Sequence, residues 1–381
     1  MPRFPGYAPA IQTLRSSVYS GAAPKPGVVP VPLHIGDTWM EPPEGCRMED
    51  LRVADHPGMH RYTPVAGLPA LRERIAGLQT DRTGLATARG QVLITAGATA
   101  GLAAAVGALV GPGEEVLLAA PYWPLIAGAV RAFNAEPVAV PLMTGAETAA
   151  EAVACFERCR TERTAAVYWN TPHNPTGRVM PREWLVALTD WARRHDLWIL
   201  SDEVYEEYVY EGEHVPARPL APEQTIAAHS FSKAYGMTGN RCGYLVGPRE
   251  AIEAVKRIIT NLHYSACTAS QLAALRALDG PGPAWAAEAR TKYAALGREA
   301  AAALGLPTPA GSTFLFPDVS AALDERGLPG LLSDLAERGV LVAPGPTFGP
   351  YPTHLRVCFT AAEPDEVRRG VAILAERLER G

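Results

Sequence analysis

From residue 92 onward, short runs of apolar residues alternate with longer stretches in which apolar positions return every three or four residues. The runs Val92–Ile94, Glu115–Ala119, Val138–Val140, Ala165–Trp169, Leu197–Leu200 and Thr225–His229 have the length of strands. They are apolar almost throughout rather than at every second position, which predicts strands buried on both faces. Between them, Thr99–Val110, Leu125–Phe133, 148–160 and 181–195 carry the helical period. Strand–helix alternation of this kind predicts an α/β fold, a mostly parallel sheet flanked by helices. Gly243–Gly247 adds a last strand, expected to be antiparallel because only a short loop precedes it.

The flanking regions read differently. Residues 1 to about 30 are rich in Pro and Gly without periodic apolar positions, so an extended arm is expected. Leu33–Trp39 reads as a short strand running into a loop, and Tyr62–Gly67 as a turn before a helix from Leu68 to about Leu78. Three helical stretches follow residue 249, the third (about 284–304) long enough to bridge two domains. Strands at 313–317, 340–342 and 355–359 then mix with helices at 328–338 and 364–380, a smaller α+β unit. The predicted organisation is an N-terminal arm (1–30), a large domain (46–283), and a small domain built from both chain ends (31–45 and 284–381).

Composition narrows the classes of function. With 48% hydrophobic and 20% charged residues in 381, the chain can bury substantial cores. A formal net charge of −5 leaves no basic footprint for nucleic acid or an anionic membrane. The six cysteines show no Cys-x-x-Cys spacing, and Cys155 and Cys159 have no His or Asp at ligand distance, so no metal site is expected. There is no signal-peptide apolar region and no run of membrane-spanning length, which points to a cytoplasmic protein.

The chemistry is concentrated around one lysine. Lys233 lies in the fifteen-residue string Ser230–Tyr244, enclosed by small hydroxyl and glycine residues, with Arg241 eight positions on. A partly desolvated lysine near another cation is nucleophilic and forms a Schiff base with an aldehyde. Ser230, Ser232 and Arg241 are donors suited to a phosphate. Gly97-Ala98-Thr99, between a strand and a helix, is a second anion site, made of free amides at a helix start. Asp202 ends an apolar strand, where a carboxylate is unusual as surface decoration.

The string Ser230–Tyr244 resembles the lysine segment of the class I/II aminotransferases, the fold-type I pyridoxal-phosphate enzymes, and Asn170-Thr171-Pro172-His173-Asn174-Pro175-Thr176-Gly177 matches a second motif of that family. The resemblance spans about residues 30–378. It implies that Lys233 holds pyridoxal 5'-phosphate and moves the substrate α-proton, and that Gly97, Ala98, Thr99, Ser230, Ser232 and Arg241 hold the phosphate. It further implies that Trp123 stacks on the pyridine ring, with Tyr122 a second candidate. Asn174 and Tyr205 would share the phenolic oxygen, Asp202 would pair with the ring nitrogen, and Arg356 would clamp the substrate carboxylate beside the flat backbone of Gly36. Tyr62 resembles the tyrosine that reaches the neighbouring subunit's phosphate, implying a homodimer with shared sites.

Two positions depart from the family pattern. Asp37-Thr38-Trp39 replaces the frequent Asp-Pro-Asp-Phe, and Asn240 stands where a large apolar residue is common. The first lies where side-chain specificity is set, so the amino acid and 2-oxo acid stay open. The implied activity is aminotransfer between them. Cysteine-sulfur β-elimination, cyclisation and oxidation share the same residues and remain alternatives. A cofactor-sensing regulator would need a DNA-binding module, and only about thirty residues precede the first motif.

Overall fold

The apolar runs pair edge to edge into a seven-stranded sheet in the computed structural model, which describes residues 9–14, 24 and 27–379. Its strands are β1 (Val92–Thr95), β2 (Glu115–Ala119), β3 (Glu136–Val140), β4 (Thr164–Asn170), β5 (Trp198–Asp202), β6 (Thr225–Ser230) and β7 (Gly243–Val246). Their order is β1-β7-β6-β5-β4-β2-β3. Every pairing from β6 to β3 is parallel, while β7 runs antiparallel to both β1 and β6. Every residue of β1, β2 and β7 is buried, as a sheet covered on both faces requires.

Helices α1 (Pro69–Thr83), α2 (Gly97–Leu109), α3 (Pro124–Ala132), α4 (Leu142–Gly145), α5 (Ala149–Cys159), α6 (Arg182–Arg194), α7 (Phe231–Ala234), α8 (Arg249–Leu262) and α9 (Thr268–Asp279) connect and cover these strands. On one face Leu102, Val106, Ile126, Ile252 and Val255 join Leu118, Tyr168 and Leu200 in a core. On the other, Phe156, Trp184, Leu188 and Trp191 pack on Leu117, Val167 and Ile199. Because β1 through β6 point the same way, their carboxyl ends share one rim, and ligand sites of α/β sheets form at such rims.

The long helix α10 (Gly282–Ala303) leads to a three-stranded antiparallel sheet in which β10 (Leu355–Cys358) lies between β8 (Phe314–Leu315) and β9 (Ala343–Pro344). Helices α11 (Gly327–Glu337) and α12 (Pro364–Glu379) cover it. The apolar run 340–342 is not itself paired into this sheet. Arg356 is in register with Ala343, so the strand begins just after the run, while Val340 makes a single parallel bridge to Val31.

The expected strand at Leu33–Trp39 is absent. Pro32 has no amide hydrogen, and Leu33, Ile35 and Asp37 donate instead to Val31, Pro32 and Ile35 at 3.0 Å each, folding the segment into consecutive tight turns. Leu33 is buried, which is the apolar signal the sequence carried. The turns carry Gly36 to the rim of the large sheet.

Candidate active site

Five strand ends deliver the site. Gly97 opens α2 straight after β1, at φ 77°. A Cβ there would stand 2.5 Å from Nη2 of Arg241. Arg241 precedes β7 in left-handed backbone at φ 51°, and its Nη1 donates to Thr238 O at 2.9 Å and to Ser232 Oγ at 3.4 Å. Ser230, at the end of β6, caps α7 by accepting from the Ser232 amide at 3.1 Å. The first amides of a helix have no intrahelical acceptor, so α2, the two serines and Arg241 form a concentrated anion-binding corner.

Lys233 stands on the single turn of α7, held from behind by Tyr208, whose hydroxyl donates to Lys233 O at 2.7 Å. Its Nζ donates to the carbonyl of Gly36. Burial lowers its basicity, and Arg356 and Arg241 act in the same direction, while Asp37 opposes them. The charged form is thereby less favoured than in a solvated lysine, and the neutral amine is the nucleophilic form.

Asp202 ends β5 and is buried at the cavity wall. Burial raises its pKa to about 6, against hydrogen bonds from the Tyr168 hydroxyl to Oδ2 at 2.8 Å and from the Val204 amide to Oδ1 at 3.4 Å. Behind it lies a buried charge network. His214 Nε2 meets Glu203 Oε2 at 3.0 Å, His229 Nδ1 meets Glu206 Oε1 at 3.0 Å, and Arg82 reaches the same Glu206 oxygen at 3.1 Å. Glu203, Glu206 and His229 bring ligand-type atoms within 4.8 Å of one another, but Arg82 and His214 already pair with the two carboxylates.

On the opposite wall, Arg356 of β10 is buried with its guanidinium 4.4 Å from the Phe314 ring centroid and 4.9 Å from that of Phe348. Its Nη1 donates to Asn174 Oδ1 at 3.1 Å and its Nη2 to His34 O at 2.5 Å. Since Asn174 Oδ1 is turned to Arg356, its Nδ2 is the group left to donate elsewhere. Asn170 fixes this turn, accepting from the Asn174 amide at 2.6 Å and donating to Asp202 O at 2.7 Å. Gly36 completes the floor, where a Cβ would come 3.0 Å from the Phe314 ring.

These groups line one cavity of about 230 Å³. Gly36, Ala98, Thr99, Trp123, Asn174, Asp202, Tyr205, Ser230, Ser232, Lys233, Arg241 and Arg356 all face it. Trp123 is the residue just before α3. Tyr122, the second candidate for the ring face, lines a neighbouring apolar groove instead. Tyr62 is likewise apart: it is 88% exposed, set edge-on to Tyr264 at 5.0 Å in a separate surface groove. Two residues of consequence were not singled out from the sequence. Tyr168 reads as one more apolar position in a strand, and Asn170 as the first letter of a turn motif.

The sequence matches the aminotransferase class I and II family over residues 31–374. The aspartate/prephenate aminotransferase of Thermus thermophilus is 35% identical over 365 residues, covering 93% of this chain and 92% of its own. The arginine–pyruvate transaminase of Pseudomonas aeruginosa is 36% identical, covering 84% of each chain. The solved structure of Thermus thermophilus aspartate aminotransferase with maleate superposes with a TM-score of 0.85 at 31% identity, covering 98% of this chain and 100% of that one. With the match spanning both sheets and every strand end described above, this chain belongs to the class I and II aminotransferases and has their fold-type I architecture.

Proposed function

We propose that this aminotransferase binds pyridoxal 5'-phosphate and moves an amino group between an L-amino acid and a 2-oxo acid, with the residues in the roles the resemblance implies. The observation that carries the reading is the meeting of a half-buried lysine, a buried carboxylate and a buried arginine around one cavity, with an anion-binding corner at its end. The glycines fit the cofactor: a side chain at Gly97 would displace Arg241 from the anion-binding corner, and one at Gly36 would crowd Phe314 beside Arg356. Bound there, the cofactor would offer an aldehyde to carry the amino group and a protonated ring to withdraw the electrons of a broken Cα–H bond.

In this reading Gly97, Ala98, Thr99, Ser230, Ser232 and Arg241 hold the phosphate, and Trp123 covers one face of the ring. Asp202 accepts from the ring nitrogen, while Asn174 and Tyr205 donate to the phenolic oxygen. Arg356, its fork already set by Asn174 and His34, holds the substrate carboxylate bidentately. Lys233 Nζ would take the proton from the substrate α-carbon and return it at C4′, the cofactor's aldehyde carbon.

The same reading takes the chain as a homodimer with Tyr62 reaching the partner's phosphate. The exposed Tyr62 and Tyr264 support it, being large side chains set edge-on to each other at the surface. The proposed division is a large unit of 46–283 and a small one of 31–45 with 284–381, following the arm 1–30. It is supported by a core that joins Val31 and Leu33 to Leu296, Leu335, Val357 and Leu374. Most of the arm lies outside the described residues. A cytoplasmic setting agrees with six free thiols, and among the described residues no helix is long and apolar enough to cross a membrane.

The test supplies amino donors in turn together with a 2-oxo acid and follows both products. Aspartate and arginine belong in the panel, since the relatives named above act on such different donors. Aminotransfer yields keto and amino products in equal amounts. Ammonia and pyruvate from a cysteine-type substrate, without an amino product, would instead show β-elimination.

A further inference from the structure

Tyr168 occupies a place in the core where phenylalanine would pack equally well, so its hydroxyl calls for an explanation. It lies on β4 opposite Leu200, two residues before Asp202 on β5, and residues two apart share a face of the sheet. The ring therefore reaches diagonally behind Asp202, with no exposed surface, and the hydroxyl donates to Oδ2 at 2.8 Å. Among the described residues Oδ1 accepts from the Val204 amide alone, at 3.4 Å. One carboxylate oxygen is thus engaged from inside the protein, and the other is left for the cavity.

We propose that Tyr168 is a positioning residue that presents Asp202 as an ionised, correctly turned acceptor and so keeps the shared proton on the cofactor's ring nitrogen. The proposal rests on the reading that the site takes pyridoxal phosphate. An ionised carboxylate only accepts, so the phenol must be the donor. A carboxylate that accepts such a bond is a weaker base, and a proton between it and a ring nitrogen moves toward the nitrogen. Burial and the neighbouring Asp202 push the Tyr168 phenol well above its ordinary range, so it stays protonated and remains a donor. Glu203 on its own segment and His229 on β6 act in opposite directions on Asp202, and Lys233, Arg241 and Arg356 face the same cavity. Within that balance the phenol is the direct contact.

The test is Y168F, with 3-fluorotyrosine placed at 168 as a second variant of nearly unchanged shape and a stronger donor. In the cofactor-free protein, the Asp202 carboxyl is followed by carbon NMR with labelled aspartate, its signal assigned by Asp202→Asn. The Phe variant should raise the titration midpoint by about one to two pH units, and the fluorotyrosine variant should lower it. In the holoenzyme, the ring nitrogen of ¹⁵N-labelled pyridoxal phosphate should shift toward the unprotonated form in Y168F. There kcat should fall about tenfold or more, with KM changed far less. An unmoved carboxyl midpoint in both variants, or a moved midpoint with an unmoved ring nitrogen, overturns the proposal. If the wild-type protein takes up no pyridoxal phosphate, the underlying reading fails and the proposal with it. The carboxyl titration, which needs no cofactor, tells these failures apart.

Discussion

Gly97→Ala separates the anion-binding corner from the rest of the site. Gly97 sits at φ 77°, a left-handed conformation that costs an L-residue roughly 1–2 kcal/mol. Its new methyl would meet Arg241 Nη2 at 2.5 Å and Cζ at 3.1 Å. Those atoms end a flexible side chain rather than belonging to backbone, so the fold survives while the guanidinium swings away. Stability of the cofactor-free protein should therefore fall only by about the backbone strain, 1–2 kcal/mol in urea unfolding. The cofactor phosphate, however, loses an ionic hydrogen-bond partner worth roughly 1.5–3 kcal/mol, a 10- to 150-fold rise in Kd. Fluorescence titration with pyridoxal phosphate measures that rise. Pyridoxal, which has no phosphate, should bind wild type and variant within about threefold of each other. If both ligands weaken alike, or neither does, Arg241 is not a phosphate ligand and the assignment of this corner is wrong.

Lys233→Ala should retain pyridoxal phosphate through the phosphate corner yet lose nearly all turnover, and borohydride should no longer fix cofactor to the chain. Normal turnover in that variant would remove Lys233 from the mechanism. Asp202→Asn should change the pH dependence of stability in the cofactor-free protein. Burial holds Asp202 at about 6 against an unfolded value near 3.9, so its contribution is fully present below about pH 4 and lost as pH rises through 6. Urea unfolding at pH 4 and pH 7 should show wild type losing roughly 2 kcal/mol relative to Asp202→Asn, and a constant difference would mean that the carboxyl is not raised. Mixed dimers of Tyr62→Phe and Lys233→Ala chains should recover about half of wild-type activity, because one site per dimer then has neither defect. Heterodimers no better than the impaired Tyr62→Phe protein alone would show that Tyr62 does not act across the interface.

The sequence by itself determined the strands of the large sheet and the side chains carried at their ends. Apolar runs such as Glu115–Ala119 coincide with β2, and Asn174, Asp202, Lys233 and Arg241 stand in short strings whose local composition announces their chemistry. Periodicity records which positions are buried, and burial on both faces is a local property of the run. It does not record what lies alongside. Leu33 is buried as the pattern demands, yet the surrounding segment turns rather than extends, because its partners Val340 and Phe314 come from the far end of the chain. The run at 340–342 is apolar, but the strand lies at Ala343–Pro344, where β10 supplies the pairing. Tyr168 shows the limit most clearly. Only the parallel register of β4 with β5 sets its hydroxyl 2.8 Å from Asp202, thirty-four residues away. Tertiary structure decided such meetings because a hydrogen bond depends on distance in space, whereas a hydrophobic period depends on distance along the chain.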